Sequence, residues 1–164
     1  MPYTQIIKEQ LIKTNINTLW DFISSPKNLQ EITPKSMNFH ITSNNKDQKM
    51  YAGMIISYKV TPLLRLPIKW LTEITHVKER EFFVDEQRVG PYKMWHHEHI
   101  FKITKKGILM KDIVTYIPPF GLLGRLANYL FIKRRINEIF DYREKKINKI
   151  FNSSNKQKIS YNIE

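Results

Sequence analysis

The amino-acid sequence predicts an α+β fold: a curved, seven-stranded antiparallel sheet wrapped around one long C-terminal helix, with two short helices after the first strand. Two changes of rhythm carry this reading. Apolar residues alternate with polar ones from Lys35 to Ile117, the period of a half-buried strand. From about Phe120 to Phe151 the period becomes helical. Composition permits the core such a fold needs, because 41% of the 164 residues are hydrophobic and 12% aromatic. Cysteine is absent, which excludes disulfides, thiolate metal sites and a cysteine nucleophile.

Each element follows in order. Residues 3–13 read as a strand, with Tyr3, Gln5, Ile7, Glu9 and Leu11 on one face and Ile6, Lys8, Gln10 and Ile12 on the other. Asn15 or Asn17 can cap a short helix through Leu19, Trp20, Phe22 and Ile23, since a short side-chain oxygen accepts orphan backbone N–H groups. Ser24-Ser25-Pro26 ends that helix and starts another, which runs to about Glu31. Thr33-Pro34 stops it, because the residue before proline disfavours the α region.

Six strands then follow. Met37, Phe39 and Ile41 alternate with polar neighbours, and Asn44-Asn45-Lys46-Asp47 turns the chain. Met54, Ile56, Tyr58 and Val60 share a face; Pro62 to Pro67 is an apolar turn; Ile68, Trp70, Thr72, Ile74 and His76 share the next face. Phe82 to Arg88, Met94 to Thr104 and Ile108 to Ile117 complete the series, joined by Gly90-Pro91 and Lys105-Lys106-Gly107. Short turns between successive strands indicate an antiparallel meander. Pro118-Pro119 ends it. In the helix, Leu123, Leu126, Ala127, Leu130, Ile136, Phe140, Ile147 and Phe151 form the apolar stripe, spanning roughly 40–45 Å at about 1.5 Å per residue. One domain over residues 1–151 and a flexible polar tail over 152–164 are expected.

Several blocks resemble a known superfamily. They are Phe83-Val84-Asp85-Glu86-Gln87; Gly90-Pro91-Tyr92-Lys93-Met94-Trp95-His96-His97-Glu98-His99-Ile100-Phe101; Asp112, Val114 and Tyr116; Pro118-Pro119-Phe120-Gly121 leading to Arg125-Leu126; and Phe131, Arg134-Arg135 and Ile139 to Arg143. Together with the element order, they resemble the START and pollen-allergen (SRPBCC) superfamily, and more closely its bacterial ligand-binding, polyketide cyclase-like members. The resemblance covers about residues 3–151. It implies the helix-grip fold and a hydrophobic ligand cavity between sheet and helix, and no single reaction or ligand.

The candidate chemistry centres on the WHHEH block, which holds three of the five histidines. Strand alternation puts Trp95, His97, His99, Phe101 and Ile103 on one face, assigned to the interior, and His96 and Glu98 on the other. Met110, Asp112, Val114 and Tyr116 share a face of the last strand, so Asp112 is expected inside. Both faces of Phe82–Arg88 are mixed, so the side of Asp85 stays open, while the hairpin brings Gln87 near the histidine strand. The expected polar cluster is His97, His99 and Asp112, joined by Gln87 and Tyr116. These groups either satisfy one another and hold strand register or orient a ligand's carbonyl or hydroxyl. As an enzyme, the protein would be cyclase- or dehydratase-like, with His97 or His99 moving a proton and Asp112 setting the tautomer. His97-x-His99 with Asp112 has the donor types of a two-histidine, one-carboxylate site, yet no independent third-ligand motif accompanies it; no metal and no cofactor are expected.

The expected ligand wall comprises Tyr58, Trp70, Trp95, Phe101, Met110 and Tyr116, with Leu126 and Leu130 from the helix. Leu63 and Leu64 in one apolar turn, with Phe120 and Leu123 in the other, would line a cavity mouth or touch a membrane, or simply pack together. Gly121-Leu122-Leu123-Gly124 lacks the residues of a phosphate loop, and no serine nucleophile elbow occurs. The net charge is +12 (27 Lys and Arg against 15 Asp and Glu), which attracts anionic partners. The strip Lys133-Arg134-Arg135, Arg143, Lys145, Lys146 and Lys149 reads as the solvated back of a core helix, with weak contact to anionic membranes as the macromolecular alternative and no nucleic-acid partner expected. No stretch reaches 18 consecutive apolar residues and the N-terminus lacks a signal-peptide pattern, so a cytoplasmic protein is expected, and the resemblance implies a bacterial one. Oligomeric state is not legible.

Overall fold

In the computed structural model, which describes residues 3–61 and 67–152, seven antiparallel strands make one sheet. They are β1 (Thr4–Ile12), β2 (His40–Ile41), β3 (Met54–Val60), β4 (Ile68–Lys78), β5 (Phe82–Val89), β6 (Met94–Thr104) and β7 (Gly107–Ile117). Their order is β1-β7-β6-β5-β4-β3-β2, a meander whose last strand pairs with its first. The connection from β1 to β2 therefore runs from one sheet edge to the other. It carries α1 (Ile16–Ile23), α2 (Pro26–Leu29) and one 3₁₀ turn (Lys35–Met37). The apolar turn with Leu63 and Leu64 falls in 62–66, outside the described residues.

Local chemistry explains the joints. Asn15 caps α1, its Oδ1 accepting from the Thr18 N–H at 2.8 Å. Leu19, Trp20 and Ile23 are the buried face of α1. Trp20 meets Phe83 and Phe101 edge-on, with ring centroids 6.1 and 5.7 Å apart, an arrangement the ring quadrupoles favour. Phe101 thus belongs to this cluster, beyond the wall of the cavity described below.

The strand faces hold with two corrections. Ile103, which alternation places on the inward face of β6, is 69% exposed, because it lies one residue before the end of the strand at the hairpin into β7. In β4, Trp70, Thr72 and Ile74 are buried, but His76 is exposed. Ile74 opposes Asp85 and His76 opposes Val84, so Thr75 is an extra residue in the ladder. Such a bulge switches which parity faces inward, and Val77 takes the position that alternation assigns to His76.

The last helix is built in three parts: α3 (Gly121–Ala127), a wide π turn (Asn128–Ile132) and α4 (Lys133–Phe151). Tyr116 Oη donates to Asn128 Oδ1 at 2.7 Å, and Asn128 Nδ2 donates to Thr4 Oγ1 at 2.9 Å. These bonds fasten the π turn to both β7 and β1. The sheet-facing stripe consequently steps by four through Gly124, Asn128, Ile132, Ile136 and Phe140, a spacing the wider turn accommodates. Gly124 is needed there, because a Cβ would lie 1.6 Å from the Pro119 carbonyl oxygen. Leu123, Leu126 and Leu130 are thereby rotated to the outside, at 75%, 57% and 61% exposure, against the expectation that they line the interior. At the other end, Asn152 accepts from the Lys13 N–H at 2.8 Å and donates to the Leu11 carbonyl, so it is bonded to the end of β1; the rest of the expected tail, 153–164, lies outside the described residues.

Candidate functional site

A cavity of about 140 Å³ lies between the sheet and α4. An apolar cavity of similar size, about 150 Å³, holds a benzene ring in other proteins. One wall is aromatic. Tyr58 stacks on Trp70 (centroids 5.9 Å apart), Trp95 and Tyr92 meet Trp70 edge-on at 5.5 and 5.7 Å, and Phe39 leans on Tyr58 at 4.8 Å. Ile136, Ile139 and Phe140 of α4 form the opposite side, and Met110 contributes from β7.

At one end the wall becomes charged. Strand alternation points His97 and His99 inward from β6, at 4% and 6% exposure. Their neighbours across the ladders are Asp85 on β5, which opposes His97, and Asp112 on β7, which opposes His99. The four side chains close into a ring. His97 Nε2 bonds Asp112 Oδ1 at 3.0 Å, and His99 Nε2 bonds Asp85 Oδ2 at 2.9 Å. His97 Nδ1 stands 3.3 Å from Asp85 Oδ2. His99 Nδ1 stands 3.0 Å from Asp112 Oδ1, without the alignment of a hydrogen bond. Each carboxylate thus offers one oxygen to both imidazoles, whose centroids are only 3.7 Å apart. Phe83 stacks on His99 at 4.0 Å and Phe140 abuts His97 at 5.3 Å, so the ring is held between apolar plates.

The electrostatics follow from that enclosure. Burial alone would raise both carboxyl groups, but the imidazoles overcome it and hold Asp85 and Asp112 well below the ordinary aspartate range. Burial likewise works against a charged His97, yet Asp85 and Asp112 lift it above the usual imidazole range. Nearby, Tyr58 Oη and Thr72 Oγ1 are 2.9 Å apart, and burial followed by the Asp85 charge drives the Tyr58 phenol far above its normal range. Arg143 of α4 also lines the cavity, with its guanidinium carbon 4.8 Å from the Phe140 ring centroid. Its Nε and Trp70 Nε1 are buried donors with no partner among the described residues.

The other sequence-derived candidates lie elsewhere. Asp112 is behind the histidines, away from the main cavity, where a small crevice also touches Lys8 and Glu144. Gln87 clamps the hairpin: its Nε2 donates to the Tyr92 carbonyl at 2.7 Å, and its Oε1 accepts from the Tyr92 N–H at 3.2 Å. Tyr116 is fully buried against α4 and bonded to Asn128, its phenol pushed up to about 12 by burial. Phe120 and Leu123 are 82% and 75% exposed and do not line the cavity. Among the lining residues that the sequence reading did not assign to the site are Asp85, Arg143 and Tyr92. Counting outward from Pro91 puts Asp85 opposite His97, a signal that was available. Arg143 lies three residues after Phe140 and four before Ile147, on the inward stripe. Tyr92 sits in a turn, where alternation says nothing.

With this geometry in hand, the fold can be compared with solved structures. CV1439 from Chromobacterium violaceum superposes with a TM-score of 0.70 at 7% identity, covering 90% of this chain and 97% of that one. Major latex-like protein 151 from Panax ginseng gives 0.66 at 10% identity over 91% and 97%. Ms6760 from Mycobacterium smegmatis gives 0.65 at 13% identity over 92% of each chain. The chain has the helix-grip fold. No protein-family model matches it, and no curated protein does.

Proposed function

We propose that this protein binds a small hydrophobic or aromatic molecule carrying a hydrogen-bond acceptor, in the manner of the SRPBCC ligand-binding proteins its sequence resembles. The observation that carries this is the pairing of an aromatic cavity with unpartnered donors at Trp70 and Arg143. Apolar burial supplies most of the affinity, at roughly 25 cal/mol per Å². The two donors and the Tyr58–Thr72 pair select for an acceptor oxygen, because a buried donor left unpaired costs about 1–3 kcal/mol. The test is native mass spectrometry of the purified protein with extraction and identification of what it retains, followed by titration of that molecule. Ile139→Trp, which fills the cavity from α4, abolishes binding on this reading while leaving the fold intact. Retained affinity in that variant sinks the reading. Turnover of a bound polyketide-like molecule, lost in His97→Gln with binding preserved, would convert a binding protein into a cyclase-like enzyme.

A second reading rests on a separate observation. The start of the last helix exposes Phe120, Leu122, Leu123, Leu126, Tyr129, Leu130 and Phe131. Arg125, Lys133 and Arg134 are interleaved with or flank them. An apolar helix surface edged with cations suits shallow insertion into an anionic bilayer. No helix among the described residues is long and apolar enough to cross a membrane. On this reading the protein is a lipid carrier that docks on acidic membrane. It co-sediments with phosphatidylglycerol vesicles, and Leu122→Ser with Leu123→Ser releases it. Equal binding to neutral phosphatidylcholine vesicles at all salt concentrations contradicts it.

A further inference from the structure

We infer that Asp85, His97 and His99 form a binding site for a divalent first-row transition-metal ion, with Asp112 as the outer support that aims both imidazoles. The donor set is two imidazole nitrogens and one carboxylate oxygen, a combination suited to zinc, iron(II) or cobalt(II). The three ligand atoms lie within 4.8 Å of one another. Asp85 Oδ2 is 2.9 Å from His99 Nε2 and 3.3 Å from His97 Nδ1. Ligands about 2.0–2.1 Å from one ion, separated by 90–110°, stand about 2.9–3.4 Å apart.

Valence argues for a cation beyond geometry. Each ring turns one nitrogen to Asp85 and the other to Asp112. Filling all four gaps with protons requires two imidazolium cations with centroids 3.7 Å apart inside the protein. Leaving His99 neutral sets its Nδ1 lone pair 3.0 Å from the negative Asp112 Oδ1, out of line with it and uncompensated. A divalent ion on the Asp85 side removes the conflict: both rings stay neutral, each offers a lone pair to the ion, His97 donates its remaining N–H to Asp112, and His99 Nδ1–H, 3.0 Å from the same oxygen, needs only a small turn of its ring to do so. Metal-bound histidines are normally held through their second nitrogen by such a carboxylate. The two negative charges then balance the ion. Asp85, His97 and His99 all line the cavity while Asp112 does not, so the open coordination positions face the cavity. That is the arrangement of a site that takes a ligand oxygen or a water.

The test uses the full chain, stripped with chelator and titrated with Zn²⁺ by calorimetry and with Co²⁺ by visible absorption. One ion per chain is expected, and Zn²⁺ should move the imidazole C–H resonances of His97 and His99 while those of His40, His76 and His96 stay. Asp85→Ala should weaken binding at least 100-fold and Asp112→Asn 10–100-fold, the latter a typical outer-support effect. His96→Gln, on the opposite face of the same strand, should leave it unchanged. Circular dichroism checks that each variant is folded. The inference is overturned if the folded wild-type protein binds no Zn²⁺ at micromolar concentration. Perturbation of His40, His76 or His96 in place of His97 and His99, or full affinity in folded Asp85→Ala, overturns it equally.

Discussion

The interior end of the cavity and the exposed start of the last helix break the same rule in opposite directions. At the first, two imidazoles and the Asp112 carboxylate are buried, with the half-buried Asp85 carboxylate against them. At the second, a run of Leu, Phe and Tyr side chains faces outward. The buried charges are offset locally, because cross-strand registers place each Asp opposite a His. The exposed apolar run has no such compensation within the described residues. Buried charges that complete one another can be purely structural, whereas an uncovered apolar surface calls for something outside the chain.

The largest expected effect tests the interior. Asp112→Ala leaves His97 and His99 facing an empty position, and breaking a buried pair this way costs about 3–5 kcal/mol. Chemical denaturation of the metal-free protein measures it. A loss below about 1 kcal/mol would show that the ring is solvated and that its enclosure is not what holds it together.

The pH dependence comes next. The folded carboxyl groups of Asp85 and Asp112 lie below their unfolded values, so the stability they contribute is present above about pH 4–5 and drains away as pH falls. His97 is raised, so its contribution is complete below its unfolded value of about 6.5 and is lost as pH rises through the folded one. The melting temperature of the metal-free protein should therefore gain a contribution that peaks near pH 5–6. Asp112→Asn should flatten the acid side, and an unchanged profile would contradict the coupling.

A packing change where the start of the last helix meets the end of the sheet follows. Gly124→Ala drives a methyl into the Pro119 carbonyl, so α3 must shift, at about 1–3 kcal/mol. The smallest effect belongs to the exterior. Leu122→Ser with Leu123→Ser should change stability by no more than about 0.5 kcal/mol per site while reducing vesicle binding. A loss of several kcal/mol would mean that these side chains are covered in solution, as they would be by a second copy of the chain, and sedimentation would show it.

The residues differ in how much they revealed before the fold was known. His97, His99 and Asp112 were legible because strand alternation sorts faces, and their strands carry unambiguous apolar neighbours. Asp85 was not assigned, since Phe82, Phe83 and Val84 make both faces of β5 apolar. The stripe from Ile136 to Ile147 was legible as helix, but its extension back through Leu130, Leu126 and Leu123 assumed an unbroken 3.6-residue period. The π turn held by Tyr116 and Asn128 changes that phase, and no residue inside the helix announces it.

Local chemistry was thus enough to determine the order of strands and helices, an asparagine cap at residue 15 or 17, and the inward turn of the histidines. Each depends on neighbours within a few residues, where backbone geometry leaves little choice. Tertiary structure decided that Asp85 joins Asp112 in enclosing both rings, that the Arg143 side chain reaches the cavity, and that the apolar start of the last helix faces outward. Those outcomes depend on strand register, a bulge at Thr75 and a bond between residues 116 and 128, and such couplings are created only when the sheet closes against the helix.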